Sequence, residues 1–387
     1  MAKRCKRLRG NVYFKEKMNQ KHPDIKNEFF TLVRAGLWGT PPDSSLFNSD
    51  TPWEEIHRVG KSQALLGILL DGIELLPAGL YPPRPLYLKW CAEVLEIEDH
   101  NQKLDTEVAA LFRVLRKHDV SPILMKGQAI ALNYPVPNHR SCGDIDIFIG
   151  KKDYDKVNEI LSVDGKALEK WSPKHMMFEW HDVIVENHRI LANLASPRSI
   201  KNLDRLTDEW KKPEKTCHVN IGDEIVVTPS LEFDAVFLLL HSVVHLMGFG
   251  IGLRQTCDWA LFLNKKKSEL NRKETLKILK DLGMTNAARI FGAMAVKYLG
   301  MPEDDLLLPI DDKDRRYGDQ LLDDIWENGN FGYSKGRIRK LPKGWLRSRI
   351  YNFGLGISRL NKLYKVAPRE AVWLPVWRFK NFLKRRL

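Results

Sequence analysis

Apolar residues recur at helical spacing over most of the chain, and the pattern changes character once, near its middle. Phe29, Phe30, Leu32, Val33 and Leu37 begin a helical pattern, with breaks at Gly39-Thr40-Pro41-Pro42 and from Pro77 to Pro85. The stretch Leu86 to Lys117 reads as one long amphipathic helix, with Leu95, Leu104, Val108, Leu111, Val114 and Leu115 on its apolar stripe. From Val120 the texture becomes that of short strands. Pro122-Ile123-Leu124-Met125 reads as a buried strand, and Gln128 to Asn133 as a short helix. Tyr134 to Asn138 is a proline-broken loop, and Asp144 to Ile149 a strand of alternating charge. Tyr154 to Leu161 reads as a helix. His175 to Trp180 and Val183 to Ile190 form a hairpin turning at His181-Asp182. A second hairpin turns at Gly222-Asp223, between Cys217 to Ile221 and Glu224 to Val227. Helices then return at Leu231 to Met247, Gln255 to Leu263, Arg272 to Leu282 and Thr285 to Leu299.

This order predicts an α+β fold: a small mixed sheet flanked by helical regions. The expected divisions are a basic tail (1–20), an N-terminal helical region (21–118), a mixed α/β palm (119–228), a helical domain (229–334) and a basic, aromatic-rich C-terminal segment (335–387). A chain of 387 residues with 43% hydrophobic and 29% charged residues is long enough for two or three units and ordinary for a globular protein. No apolar stretch is long enough for a transmembrane helix, and the polar, basic N-terminus does not read as a secretory signal. The five cysteines, Cys5, Cys91, Cys142, Cys217 and Cys257, are scattered and form no CxxC pair. They are expected as reduced thiols in a cytoplasmic protein, with Cys142 a packing residue.

The net charge of +13 is concentrated at the ends. Residues 335–387 carry 16 Lys or Arg against one acid, Glu370, and residues 1–10 add five more cations, so the body between is mildly acidic. The C-terminal cations interleave with Trp345, Tyr351, Phe353, Tyr364, Trp373, Trp377, Phe379 and Phe382. Three readings stand: packing on the helical domain, docking on an acidic membrane surface, and contact with nucleic acid.

The candidate chemistry lies in the palm. Asp144 and Asp146 are two apart on a strand, so both carboxylates emerge on one face while Ile145 and Ile147 enter the core. Carboxylates held this close repel unless a cation lies between them, and Mg²⁺ (or Mn²⁺) takes such oxygen ligands together with substrate phosphates. The bare pair also fits a solvated strand edge. Its surroundings strengthen the functional reading. Lys126-Gly127 ends a strand where a helix begins, a place suited to phosphate, and Arg140 stands four residues before Asp144. Glu186 lies within an apolar run on a later strand, sharing a face with His188. It is a third metal ligand, a base for an acceptor hydroxyl, or a residue facing solvent or an Arg. His241 and His245 share a helix face and read as core or supporting histidines rather than a zinc pair, since the intervening Ser-Val-Val lacks a catalytic Glu. Arg254 and Asp258, four apart, either pair with each other or turn Arg254 toward a ligand. Gly248, Gly250 and Gly252 read as a loop between helices.

Together these segments resemble the uncharacterised bacterial nucleotidyltransferase family (the NTP transferase 5 type) of the polymerase-β-like superfamily. The resemblance rests on Leu124-Met125-Lys126-Gly127, Tyr134-Pro135, Arg140 and Gly143-Asp144-Ile145-Asp146-Ile147-Phe148-Ile149. It continues in Glu186-Asn187-His188, His241 to His245, Gly252-Leu253-Arg254-Gln255 and Cys257-Asp258-Trp259. Glu28-Phe29-Phe30 and Arg34-Ala35-Gly36-Leu37-Trp38 are similar to the family's N-terminal start, and Ala367 to Ala371 is more loosely similar. The likeness implies a polymerase-β-like palm. It makes Asp144 and Asp146 catalytic metal ligands and Glu186 the candidate third carboxylate, and sets Lys126, Gly127 and Arg140 beside the phosphates; Arg254, from its place on a helix facing the palm, is a further candidate for nucleobase, phosphate or acceptor. The chain departs from better-studied superfamily members at the phosphate loop, where Lys126-Gly127-Gln128 replaces a Gly-Ser or Gly-Gly pair. The implied activity is Mg²⁺-dependent transfer of a nucleoside monophosphate from an NTP to an acceptor, with release of pyrophosphate. The alternative is a catalytically silent nucleotide- or nucleic-acid-binding module.

Overall fold

The computed structural model describes residues 25–168, 174–248, 250–328 and 360–384. The basic tail expected at 1–20 lies outside them, as do Trp345, Tyr351 and Phe353 of the C-terminal segment. The architecture is α+β. Helices Lys26–Trp38, Trp53–Gln63, Leu66–Glu74 and Arg84–Lys117 precede a small sheet, and helices dominate after it.

The sheet has five strands: β1 (Ile123–Met125), β2 (Ile145–Phe148), β3 (Gly165–Ala167), β4 (His175–Trp180) and β5 (Val183–His188), in the order β1-β2-β5-β4-β3. β2 and β5 run parallel and the other neighbours are antiparallel. The β4–β5 hairpin closes through His181 and Asp182, both at positive φ (46° and 63°), as a two-residue turn of matching twist requires. A separate hairpin pairs β6 (Cys217–Ile221) with β7 (Glu224–Thr228).

Alternation along the strands divides the sheet between two cores. On one face Leu124, Ile145, Ile147, Phe178, Val183 and Val185 pack with Leu104, Val108, Leu111, Phe112 and Leu115 of the helix Arg84–Lys117. On the other, Met125 and Phe148 join the large helical core. That core also holds Phe29, Leu32, Ile56 and Leu69 from the first helices and Phe237, Leu240, Trp259 and Phe291 from the later ones. The 34-residue helix Arg84–Lys117 spans both, since Trp90 and Val94 belong to the helical core. Leu95, expected on its apolar stripe, is 57% exposed; Val94, one position earlier, takes the inward place. Gln63 ties the two ends of the helical layer: its Oε1 accepts from Leu253 N at 3.0 Å and its Nε2 donates to Ile325 O at 3.1 Å.

The helix Leu231–Met247 has no exposed residue and starts at Ser230, whose hydroxyl accepts from Phe233 N. Gly248, Gly250 and Gly252 form the link to the helix Leu253–Lys266, as the pattern predicts. Elements not predicted include the helix Pro197–Trp210, the strand β3 and the helix Asp312–Asn328. The helix Pro197–Trp210 has a Ser196 cap and Pro at its first turn, with Leu203, Leu206 and Trp210 buried. β3 is a three-residue edge strand with no apolar periodicity to reveal it.

The C-terminal helix Pro368–Lys384 docks through Ala371 and Leu374 on the helical core, with Trp377 packed against it. Glu370 is fully buried and accepts from Ala195 N (2.6 Å) and Ser196 N (3.1 Å). Among the aromatics with described side chains the packing reading holds for Trp377, while Tyr364, Trp373 and Phe379 face outward together with Val372 and Val376. No helix among the described residues is long and apolar enough to cross a membrane.

Candidate active site

The sheet face turned toward the helical core carries the acidic residues, so the candidate site lies on the seam between the two cores. Asp146 on β2 is the direct register partner of Glu186 on β5. Neighbouring parallel strands about 4.8 Å apart bring these side chains together without any loop having to fold over. Asp144, immediately before β2, completes a group in which each carboxylate offers an oxygen within 4.8 Å of the others. The strand is shorter than expected, Ile145–Phe148, so Asp144 sits at its entrance rather than within it.

Lys126 follows β1 with φ at 56° and ψ at −136°, an uncommon conformation for a residue with a side chain, and Gly127 continues at φ 44°. The helix that follows is short, Gly127–Ala131. The Lys126 side chain turns onto the sheet, and its Nζ lies 2.9 Å from Asp146 Oδ2. His188 Nε2 lies 2.8 Å from Asp146 Oδ1 and 3.1 Å from Glu186 Oε2. His175, across from His188 in the β4–β5 pair, places its Nδ1 3.7 Å from Glu186 Oε2.

This crowding sets the protonation of the group. The adjacent Asp146 charge, and then burial, push Asp144 up to about 6. Burial also acts to raise Asp146, but Lys126 and His188 outweigh it and hold that carboxyl well below its ordinary range. Glu186 is lowered, since the hydrogen bond from His188 overcomes the effect of burial. His188 is raised despite its burial, through Asp146 and Glu186. Burial brings His175 down to about 4. Lys126 is raised because Asp146 and Asp144 outweigh its desolvation.

A cavity of about 430 Å³ opens over these residues, within the range of small-molecule sites. Its far wall is helical: Phe237, His241 and His245 from Leu231–Met247, and Arg254, Gln255 and Asp258 from Leu253–Lys266. The His241 and His245 Nε2 atoms are 2.9 Å apart, and burial lowers both rings, His245 to about 4. They line the cavity but belong to neither group of closely placed metal-ligand side chains among the described residues.

Arg140 lines the cavity too, but its guanidinium is engaged: Nε and Nη2 donate to the two Asp258 oxygens at 2.7 and 2.8 Å. Tyr134 OH donates to the same carboxylate at 2.7 Å, and Arg140 Nη1 lies 3.0 Å from Cys142 Sγ. Asp258 therefore pairs with Arg140 from the palm, not with Arg254 one helical turn away. Arg254 instead donates through Nη1 to the Ser141 carbonyl. Its Nε is buried with no hydrogen-bond partner among the described residues. A buried guanidinium donor without an acceptor, on a cavity wall, suits an anionic ligand.

The fold thus brings Lys126, Gly127, Arg140, Asp144, Asp146, Glu186 and Arg254 around one cavity. His175 was not among the expected site residues, although a signal for it existed. A two-residue turn at His181-Asp182 sets a register in which His175 must face His188.

The family described as uncharacterised nucleotidyltransferase matches residues 49–300, which contain every residue of the cavity. No curated protein matches the chain. Among solved structures, it is similar to the crystal structure of an antigenic nucleotidyltransferase-like protein from Paracoccidioides brasiliensis. The identity is 18%, the likeness covers 46% of this chain and 86% of that one, and the TM-score is 0.32. With the match extending over more than half of its length, the chain belongs to the uncharacterised nucleotidyltransferase family.

Proposed function

We propose that this chain transfers a nucleoside monophosphate from an NTP to an acceptor hydroxyl. The acceptor oxygen bonds to the α-phosphorus, the bond from that phosphorus to the bridging oxygen breaks, and pyrophosphate leaves. The reading is carried by one observation: three carboxylates, Asp144, Asp146 and Glu186, converge within 4.8 Å at a cavity wall. The rise of Asp144 to about 6, caused first by the Asp146 charge and then by burial, is the electrostatic mark of that crowding. These oxygens fit Mg²⁺ or Mn²⁺, which when bound would activate the attacking hydroxyl and neutralise charge on the leaving phosphates.

The chain's own residues have distinct parts in this scheme. Asp144, Asp146 and Glu186 would hold the ion, and the Glu186 carboxylate would take the acceptor's proton. Lys126 and Arg254 supply positive charge for the triphosphate. Gly127, at positive φ with only the Asp144 carbonyl near its α-carbon substituent position (3.5 Å), leaves room for phosphate to approach the backbone. Arg140 faces the same cavity and, through Asp258, holds the helical wall against the palm.

The test is incubation of the protein with α-labelled NTPs, Mg²⁺ and cell extract, beside a variant carrying Asp144→Asn and Asp146→Asn. Label transferred to an acceptor with pyrophosphate release, absent in the variant, supports the proposal. NTP binding without pyrophosphate release points to a silent nucleotide-binding module. Mg²⁺-dependent NTP binding that survives in the variant removes the assigned site.

A further inference from the structure

The nucleotidyl-transfer scheme leaves His175 and His188 without a part, although they form a ligand group of their own. His175, Glu186 and His188 each present one ligand atom within 4.8 Å of the other two. His188 Nε2 is 3.1 Å from Glu186 Oε2, and His175 Nδ1 is 3.7 Å from that same oxygen. Donors bound about 2.1 Å from one ion at tetrahedral to octahedral angles lie roughly 3 to 3.5 Å apart. The first separation falls in that range, and a small ring rotation brings the second into it. The backbone is already in place, because His175 and His188 are direct partners across β4–β5 and Glu186 lies two residues earlier on β5.

The other nitrogen of His188, Nδ1, is buried with no hydrogen-bond partner among the described residues. Nε2 faces Asp146 Oδ1 at 2.8 Å and Glu186 Oε2 at 3.1 Å, so it carries the proton in the ion-free chain, and a cation bound there would take that proton's place between the same groups. Two imidazoles and a carboxylate are a poor set for Mg²⁺, which takes oxygen ligands, and a good one for divalent transition ions. Glu186 belongs to this group and to the Asp144–Asp146 group alike.

We propose that His175, Glu186 and His188 form a second cation position, selective for a divalent transition ion, joined through Glu186 to the oxygen-lined position at Asp144 and Asp146. The centre then holds two unlike ions. The position shares a residue with the proposed catalytic site but does not require nucleotidyl transfer.

The test uses chelator-stripped full-length protein titrated with Co²⁺ in saturating Mg²⁺, followed by calorimetry and by visible absorption, which reports nitrogen ligation. The wild-type protein should take up one Co²⁺ that Mg²⁺ does not displace. His175→Ala should weaken this uptake by at least about tenfold, since even partners behind a metal ligand contribute ten- to a hundredfold. Asp144→Asn should leave the uptake in place while abolishing Mg²⁺-dependent NTP binding, which separates this inference from the proposed activity. Should His175→Ala fail the circular-dichroism check for folding, His175→Gln replaces it. The proposal is overturned if Mg²⁺ displaces all bound Co²⁺, or if a folded His175 variant binds Co²⁺ like the wild type.

Discussion

Lys126 Nζ lies 2.9 Å from Asp146 Oδ2, so a cation of the chain itself stands against one of the three convergent carboxylates. Both side chains are largely out of solvent, at 16% and 3% exposure. Removing one member of such a pair leaves the other charge buried and uncompensated, at a cost of about 3–5 kcal/mol. Lys126→Met should therefore melt earlier than wild type in chelator. If the carboxylates hold an ion, added Mg²⁺ or Mn²⁺ should restore much of the loss while NTP affinity stays about tenfold or more below wild type. A melting temperature insensitive to the ion in this variant would count against metal binding at Asp146.

Asp144 carries the opposite sign. Its folded-state value near 6 is above the ordinary carboxylate value, so it costs stability once ionised. The cost is absent below the unfolded value near 4, grows between about 4 and 6, and is complete above. Asp144→Asn should therefore leave the metal-free protein more stable than wild type at pH 8, on the order of 2 kcal/mol, with the advantage vanishing near pH 4. The same variant should lose Mg²⁺-dependent NTP binding. Denaturant melts across that pH range in chelator decide it; a variant less stable than wild type at pH 8 would show that Asp144 is structural.

Arg254 and Arg140 should separate into different phenotypes. Arg254→Ala removes a guanidinium that donates to the Ser141 carbonyl and whose charge acts on Asp144 and Asp258. It is expected to raise the NTP concentration needed for half-saturation by about ten- to a hundredfold with little change in melting temperature. Asp258→Leu strands the fully enclosed Arg140 and should destabilise by about 3–5 kcal/mol. Replacing both, Arg140→Met with Asp258→Leu, should recover part of that loss. Measuring the three melts together with NTP binding checks the division.

His139 supplies a pH dependence away from the carboxylate group. Its Nδ1 lies 2.5 Å from Asp71 and its Nε2 2.6 Å from Glu98, joining the palm loop to the helices Leu66–Glu74 and Arg84–Lys117. Burial acts to lower the ring, but the two carboxylates raise it above its ordinary value, and burial raises Asp71. A raised histidine contributes stability that is fully present below its unfolded value, near 6.5, and lost as pH rises through the folded one. Stability should therefore fall from pH 6 toward alkaline values more steeply in wild type than in His139→Gln. Equal slopes would remove His139 as the cause.

Much of the palm was legible because short-range chemistry writes it. The proline-broken loop at 134–138, the two hairpin turns and the strand parity that puts Asp144 and Asp146 together are local consequences of residue type. Four helices in the second half carried enough apolar periodicity to be located, and Leu231–Met247, Arg272–Leu282 and Thr285–Leu299 have the bounds expected. The helix Pro197–Trp210 was equally available, through Ser196-Pro197 and its buried leucines, and was missed. Leu95 was misplaced because a stripe over 34 residues admits neighbouring positions, and only packing chooses between Val94 and Leu95.

The sequence by itself determined which residues are candidates for the site: two aspartates on one strand face, a glutamate and a histidine sharing a face on another, and cations at Lys126, Arg140 and Arg254. Side-chain alternation and turn geometry are local, so they can be read along one strand. Tertiary structure decided how these groups divide their work. The parallel β2–β5 register set Glu186 beside Asp146. The folding of the helix Leu253–Lys266 over the palm gave Asp258 to Arg140 and left an Arg254 donor on the cavity wall. Burial at the seam of two cores then set the protonation of the group, because desolvation and the distances between charges exist only once the chain has closed on itself.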